Sequence, residues 1–190
     1  MTGRAQTETP ELVELLAEDG SVIGTADKAE VHTDATPLHR AFSVHLRTPD
    51  GRVLLTRRAL GKVAWPGVWT NTCCGHPAPG ESDEGAIRRR LAQELTIPAD
   101  AVGAPVPALP DFRYRAVDAG GVVEHEVCPV YVADLLVDPA TLPSPNPDEV
   151  AETAWAPWTD AVAALRATPF AFSPWFVLQA RDPRLNALLT

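Results

Sequence analysis

The sequence has few cysteines and no long apolar stretch. Three cysteines occur among 190 residues, and no uninterrupted apolar run approaches the about 18 residues that indicate a membrane helix. The first residues also lack a basic segment followed by an apolar one, so neither a membrane span nor a signal peptide is predicted. Because thiols stay reduced in the cytoplasm, an odd number of cysteines favours a cytoplasmic protein without a disulfide framework.

Positive charge is also scarce. The chain has 16 Lys and Arg residues against 25 Asp and Glu residues, a formal net charge of −9. Binding to a nucleic-acid backbone depends on massed basic residues, so nucleic acid is not expected as a partner. Any anionic ligand must instead meet a local cluster of Lys and Arg.

Short apolar runs and turn-forming residues predict the strands. Three β-hairpins are expected, with turns at residues 19–20, 48–51 and 118–121, and a further short strand over 149–158. A chain of this length fits one domain with its own core. The pattern predicts an α+β fold with mixed or antiparallel sheets packed with helices, as a single domain over residues 10–190 after a flexible tail at 1–9.

One strong helix signal interrupts the strands. Ser82 is suited to cap a helix whose apolar residues recur every four positions until Pro98. Two further helices are predicted at roughly 158–167 and 173–182, and residues 98–110, rich in Pro and Ala, are predicted to be a loop.

The segment NTCCGHPAPGES, residues 71–82, concentrates reactive side chains. Cys73 and Cys74 are adjacent, and His76 follows two residues later. A structural zinc site is disfavoured because the other thiol, Cys128, has no nearby cysteine partner. A disulfide between adjacent cysteines would strain the peptide between them. A buried loop and a reactive site both remain open on these residues alone.

The segment Glu124-His125-Glu126 suggests a metal site. In a strand, residues two apart face the same side, so the two carboxylates share a face and repel each other unless a cation lies between them. Charged residues alternating on a solvated strand are an equal alternative. If other donors join them, three imidazoles and two carboxylates suit a divalent metal of near-octahedral geometry; the available histidines are His32, His39 and His76.

Basic residues flank the cysteine segment. Arg58 and Lys62 precede it, and Arg90 lies in the predicted helix four residues before Glu94. Such residues usually form solvated faces or i,i+4 pairs, which Arg90 and Glu94 would do. In an acidic protein they also suit a diphosphate ligand, and Glu94 would be able to hold a bridging Mg²⁺.

The helix and the loop before it resemble a known motif. Gly75-x5-Glu81-x7-Arg89 matches the Nudix box, G-x5-E-x7-R-E-U-x-E-E-x-G-U, where U is aliphatic. The sequence departs from the box at Arg90, Gln93 and Thr96, which replace two glutamates and a glycine. Nudix hydrolases use those acidic side chains to hold catalytic metals, so the departures count against diphosphate hydrolysis.

Longer motifs resemble one family with a Nudix fold. TRRALGKVAWPGVWTNTCCGHPAPGES, DFRYRA, EHEVCPV and AFSPW are similar to segments of the type 1 isopentenyl-diphosphate isomerases, and the likeness runs from about Leu12 to about Ala180. The resemblance implies interconversion of isopentenyl and dimethylallyl diphosphate through a tertiary carbocation, in isoprenoid precursor biosynthesis. A Nudix hydrolase of a nucleoside diphosphate derivative is the main alternative, and a non-catalytic Nudix-like binding module is the second.

The resemblance also implies a role for each matching residue. The catalytic set would be Cys74, Glu126, Tyr114 and Trp175, with Cys73 at a variable position. A cysteine near its usual pKa of about 8.5 would be mostly protonated at neutral pH. The diphosphate would be bound by Lys28, Arg58, Lys62 and Arg90. A Mn²⁺, Zn²⁺ or Mg²⁺ ion would be held by His32, His39, His76, Glu124 and Glu126, and a Mg²⁺ ion by Glu94 with the diphosphate. A monomer or weak homodimer, without a membrane partner, is expected.

Overall fold

The computed structural model describes residues 11–190, so the predicted tail at 1–9 lies outside the described residues. The strands are β1 Leu12–Leu16, β2 Val22–Asp27, β3 His39–Arg40, β4 Phe42–Arg47, β5 Arg52–Arg58, β6 Trp69–Thr70, β7 Cys73–Gly75, β8 Val106–Leu109, β9 Arg113–Val117, β10 Val123–Val127, β11 Val130–Asp134 and β12 Val150–Pro157. The helices are α1 Lys28–Val31, α2 Asp83–Leu95, α3 Trp158–Ala167, α4 Pro174–Gln179 and α5 Pro183–Leu189, with short 3-10 turns at Ala99–Ala101, Pro139–Thr141 and Pro169–Ala171.

The strands form two mixed sheets, as the predicted α+β class requires. The first has the order β2-β1-β3-β10-β9 and the second the order β12-β5-β4-β11-β8, with β6 beside β5 and β7 beside β4. The pairs β3/β10 and β4/β11 are parallel, and the other named pairs are antiparallel. The chain thus passes from the first sheet to the second twice, between β3 and β4 and between β10 and β11.

The structure differs from the predicted strands in two places. The hairpin around residues 118–121 is formed by β9 and β10, but its predicted second strand ends at Cys128-Pro129, and the residues after the break form β11 in the other sheet. Proline lacks the N–H that a continuous ladder needs. The predicted loop at 98–110 contains β8, which carries Pro107. An edge strand tolerates a proline, and β8 is the edge of its sheet.

The second predicted hairpin is confirmed at its tip only. Strands β4 and β5 pair at Arg47 and Val53. Beyond that pair the two strands separate, and β4 pairs with β7 whereas β5 pairs with β6. In this register Cys74 of β7 lies directly opposite Ser43 of β4. The opening of the hairpin therefore places the cysteine segment inside the second sheet.

Helix α2 begins and ends as the sequence predicts. The Ser82 hydroxyl accepts a hydrogen bond from the Gly85 N–H at 3.1 Å. At the other end Thr96 has a left-handed backbone with φ of 55°, where the Nudix box has glycine. The Thr96 hydroxyl donates to the carbonyl of Leu95 at 2.6 Å and to that of Ser144 at 2.7 Å, which holds this unfavourable conformation.

Helices cover both faces of the second sheet. On one face α2 buries Ile87 and Leu91 against Phe42 of β4. On the other, α3, α4 and α5 pack through Trp158, Phe176 and Leu185. Helices α3 and α4 were both predicted, although α4 ends earlier than expected. Helix α5 was not predicted. Both apolar layers exclude water from the sheet that carries Cys74.

Candidate active site

A pocket of about 320 Å³ lies where the two sheets meet. It gathers all the predicted site residues except His39, which lies behind His76. The predicted residues that line it are Lys28, His32, Arg58, Lys62, Cys74, His76, Arg90, Glu94, Tyr114, Glu124, Glu126 and Trp175. Residues separated by more than a hundred positions are therefore brought to one cavity by the fold.

Strand register places the imidazoles and carboxylates together. Glu126 of β10 lies opposite His39 of β3 on one side and opposite Tyr114 of β9 on the other. Glu126 Oε1 lies 3.1 Å from His76 Nε2 and 3.5 Å from His39 Nε2, and the two Nε2 atoms lie 3.1 Å apart. His32 Nε2 lies 3.2 Å from Glu124 Oε2. One donor atom from each of His32, His39, His76 and Glu126 lies within 4.8 Å of the others.

The donor atoms of this cluster fit a divalent metal ion. His39 Nδ1 lies 2.9 Å from the Pro37 carbonyl and donates to it, which leaves the Nε2 lone pair facing the cluster. Glu124 Oε2 is buried, and its 3.2 Å contact with His32 Nε2 does not have hydrogen-bond geometry. Converging nitrogen lone pairs and carboxylate oxygens repel one another unless a cation lies between them. Three imidazole nitrogens with the Glu126 carboxylate suit a divalent transition metal or Mg²⁺ better than a thiolate zinc site, and Glu124 lies next to this group of four.

The pKa values of the two carboxylates shift in opposite directions. Burial raises the pKa of Glu126, but its contacts with His39 and His76 outweigh burial and hold that pKa well below its usual range. Burial, followed by repulsion from Glu126, raises the pKa of Glu124. The cluster therefore keeps one carboxylate ionised beside the pocket.

Cys74 is a neutral thiol in a polar niche. Burial raises its pKa to about 12, higher than the ordinary value that the sequence suggested. The thiol donates to Asn71 Oδ1 at 3.2 Å, and its sulfur lies 3.1 Å from the Ser43 hydroxyl. Asn71 Oδ1 also accepts a hydrogen bond from Trp175 Nε1 at 3.2 Å. Sequence reasoning missed Asn71, although it opens the NTCCGHP segment, because an amide carries no charge pattern.

Aromatic side chains form one wall of the pocket. The Tyr114 hydroxyl donates to Glu126 Oε2 at 2.8 Å. The Tyr114 and Trp65 rings each lie 5.5 Å from the Trp175 ring, the Trp65 ring edge-on. Trp175 is 2% exposed and lines the pocket, and the Arg58 guanidinium carbon lies over its ring, 5.7 Å from the ring centre. Such a wall excludes water and offers a π-face to a cation.

The opposite end of the pocket is basic. Arg90 is paired with Glu94, Lys62 with Glu149, and Lys28 with Glu11 at 2.8 Å. Sequence reasoning found the cations but missed Glu11 and Glu149, because the partners are distant in the chain. Carboxylates thus hold these three basic side chains in place.

Arg89 has a structural role. Its guanidinium donates to Glu81 Oε2 at 2.7 Å and to the His76 carbonyl at 3.1 Å. Glu81 Oε2 accepts from the Ala78 N–H at 2.8 Å. The retained Glu81 and Arg89 of the box therefore fix the loop that carries His76.

Within residues 11–190, no helix combines the length and the apolar character needed to cross a membrane. The described fold and site define a Nudix-domain protein, since the NUDIX domain profile matches residues 37–176. A crystal structure of a Deinococcus radiodurans protein superposes with a TM-score of 0.67 at 21% identity, over 90% of this chain and 98% of that one. A Nudix hydrolase from M. smegmatis superposes with a TM-score of 0.54 at 20% identity, over 92% of each chain. At these identities the structures show the fold alone.

Curated relatives define the family within that class. An isopentenyl-diphosphate Delta-isomerase from Leifsonia xyli subsp. xyli is 60% identical over 173 residues, 91% of each chain. One from Kocuria rhizophila is 53% identical over 185 residues, 97% of this chain and 99% of the relative. The chain belongs to the isopentenyl-diphosphate Delta-isomerase family, as its motifs indicated. The hydrolase alternative is less supported.

Proposed function

We propose that the chain interconverts isopentenyl diphosphate and dimethylallyl diphosphate, with Cys74 and Glu126 as the acid–base pair. The supporting observation is that these two groups come from different sheets, yet line one pocket beside Trp175 and Tyr114. A shift of one double bond by one carbon needs one proton added to the alkene and another removed nearby. A thiol and a carboxylate on separate walls meet that need.

The reaction consists of two proton transfers. In the first step an acid protonates the terminal carbon of the alkene, and the π electrons form the new C–H bond. The resulting tertiary cation loses a proton to the base, and those C–H electrons form the new double bond. Cys74 and Glu126 exchange these roles when the reaction runs backwards. The Trp175 face lies beside the cation, and Tyr114 holds the Glu126 carboxylate by its 2.8 Å hydrogen bond.

We propose that a divalent metal ion, Mn²⁺, Zn²⁺ or Mg²⁺, is held by His32, His39, His76, Glu124 and Glu126. When bound, it would neutralise the two carboxylates and orient Glu126. Replacing His39 by Asn should lower the metal content of the purified protein, measured by elemental analysis, with little change for His125→Asn. His125 is the matched control because it lies on β10 but outside the cluster. Equal metal content in both variants would contradict this site.

The basic end of the pocket supports binding of the diphosphate by Lys28, Arg58, Lys62 and Arg90, with Glu94 holding Mg²⁺ on it. Arg90 replaces a Nudix-box glutamate, which adds positive charge where a bound diphosphate is gripped and not cleaved. Arg90→Glu should raise KM strongly. Arg88→Glu should not, because Arg88 donates to the Ala99 and Val102 carbonyls and does not line the pocket. An Arg90→Glu variant with unchanged KM would refute this role.

Product analysis separates the isomerase from its alternatives. Incubation with isopentenyl diphosphate should yield dimethylallyl diphosphate without release of phosphate, and Cys74→Ala should abolish the conversion. Phosphate release without isomerisation would favour a hydrolase instead, and no turnover with intact metal binding would favour a binding module. A cytoplasmic location, which the free cysteines support, and a monomer or weak homodimer stay predictions.

A further inference from the structure

A chain of buried polar side chains lies behind Cys74. The Ser43 hydroxyl lies 3.1 Å from Cys74 Sγ and accepts a hydrogen bond from Gln179 Nε2 at 2.9 Å. Gln179 Oε1 lies 3.0 Å from His45 Nε2. Ser43, His45 and Gln179 are each 0% exposed. Burial of three polar side chains in an apolar core is unfavourable unless their hydrogen bonds are made, so their alignment is tightly constrained.

The contacts assign a direction to the Ser43 hydroxyl. Its oxygen accepts from Gln179, so its own hydrogen is free to point at a sulfur atom. Cys74 Sγ lies at 3.1 Å and Cys128 Sγ at 3.4 Å. The Cys74 proton itself goes to Asn71 Oδ1. When Cys74 loses that proton, its sulfur becomes an acceptor and the nearer hydroxyl is already beside it.

We propose that Ser43 is a positioning residue, which donates a hydrogen bond to Cys74 Sγ when that sulfur is a thiolate, and that Gln179 aims the hydroxyl. The inference rests on the proposed role of Cys74. Cys74 is a thiolate on one side of its proton transfer in both directions of the reaction. When Cys74 is the acid, its S–H bond breaks, the electrons stay on sulfur and the proton goes to carbon. When Cys74 is the base, the thiolate takes a proton from carbon, and the electrons of that C–H bond form the double bond. Ser43 keeps its own proton throughout.

Two features of the fold support this role. Ser43 lies directly opposite Cys74 in the β4/β7 register, so the contact is set by backbone pairing and not by a loose side chain. Gln179 ends helix α4, which also carries Trp175 of the pocket wall. A buried thiolate is strongly disfavoured without hydrogen-bond donors, and hydrogen bonds to charged groups are the stronger ones.

The test compares Ser43→Ala with Thr72→Val. Each deletes one buried hydroxyl near the cysteine segment, but the Thr72 hydroxyl bonds the Leu46 N–H and the Leu54 carbonyl and not the sulfur. Ser43→Ala should lower kcat for isopentenyl diphosphate about 10- to 100-fold, with KM within about twofold. Thr72→Val should lose stability in urea but keep kcat within about twofold.

Gln179→Met tests whether the hydrogen bond from Gln179 orients the Ser43 hydroxyl. It also tests the role of Ser43 if Ser43→Ala does not fold. It should lower kcat less than Ser43→Ala does, and the double variant should be no slower than Ser43→Ala alone, because both changes remove one contact to sulfur. A kcat for Ser43→Ala or Gln179→Met within about twofold of wild type would overturn the inference, as would an equal loss in Thr72→Val. A wild-type protein without isomerase activity would refute the proposed function instead.

Discussion

Any side chain at Gly75 is predicted to be unfavourable, because the Arg90 side chain occupies the space where a Cβ would be. A Cβ at this position would lie 2.9 Å from Arg90 Cγ, 3.2 Å from Phe42 Cζ and 3.3 Å from Arg90 Nε. Phe42 is fully buried, and Arg90 is 5% exposed and paired with Glu94, so neither yields easily. Overpacking of this kind costs about 1–3 kcal/mol. Replacing glycine by alanine also stabilises the fold by about 0.4–1 kcal/mol, because alanine lowers the conformational entropy of the unfolded chain.

Gly75→Ala should therefore lose about 0.5–2 kcal/mol of unfolding free energy and raise KM as Arg90 shifts. Urea unfolding measures the first and steady-state kinetics the second. Gly24→Ala is the matched control: Gly24 is also in a strand, and no atom lies within 4 Å of its added Cβ. It should be neutral or slightly stabilised. Equal stability of the two variants would show that the contact with Arg90 is not limiting.

Three further predictions follow from the site and its surroundings. Cys74→Ser should lower kcat at least about 100-fold, whereas Cys73→Ser, measured in the same assay, should stay within about threefold. Burial lowers the pKa of His45 to about 4, so protonation favours the unfolded chain as pH falls from 6.5 to 4. Over that range the wild type should lose about 3 kcal/mol more unfolding free energy than His45→Gln. An equal loss in the two proteins, measured by urea unfolding at each pH, would contradict this. Asp118 Oδ2 accepts from the Trp65 N–H at 3.2 Å, where Trp65 has φ of 45°. Asp118→Ala should thus release the loop that carries Trp65 and raise KM several-fold with kcat nearly unchanged. An unchanged KM would show that this hydrogen bond does not hold the loop in place.

Local patterns predicted the elements whose signals are local. Ser82 caps the start of helix α2, whose apolar residues recur at helical spacing. The turn at residues 118–121 was predicted from its glycines. Strand β8 was missed because prolines and alanines mask a strand that only tertiary pairing with β11 creates. The break before Pro129 was missed because apolar residues continue across it.

The candidate site divides in the same way. Motif resemblance indicated the thiol, the histidines and the basic residues, and the fold brings them to one pocket. It did not indicate Ser43 or Gln179, since neutral side chains scattered over the chain leave no pattern in sequence. The carboxylates that hold the basic residues, Glu11 and Glu149, were missed for the same reason. Only long-range strand register places such groups beside their partners.

Cys74 and Glu126 are proposed to move protons to and from the substrate carbons. The decisive experiment incubates the purified protein with isopentenyl diphosphate and Mg²⁺ in deuterated water and analyses the product by NMR and mass spectrometry. Because both groups exchange with solvent, dimethylallyl diphosphate with deuterium at the newly protonated carbon is predicted from wild type and none from Cys74→Ala. Undeuterated product, or equal product from both proteins, would contradict the account.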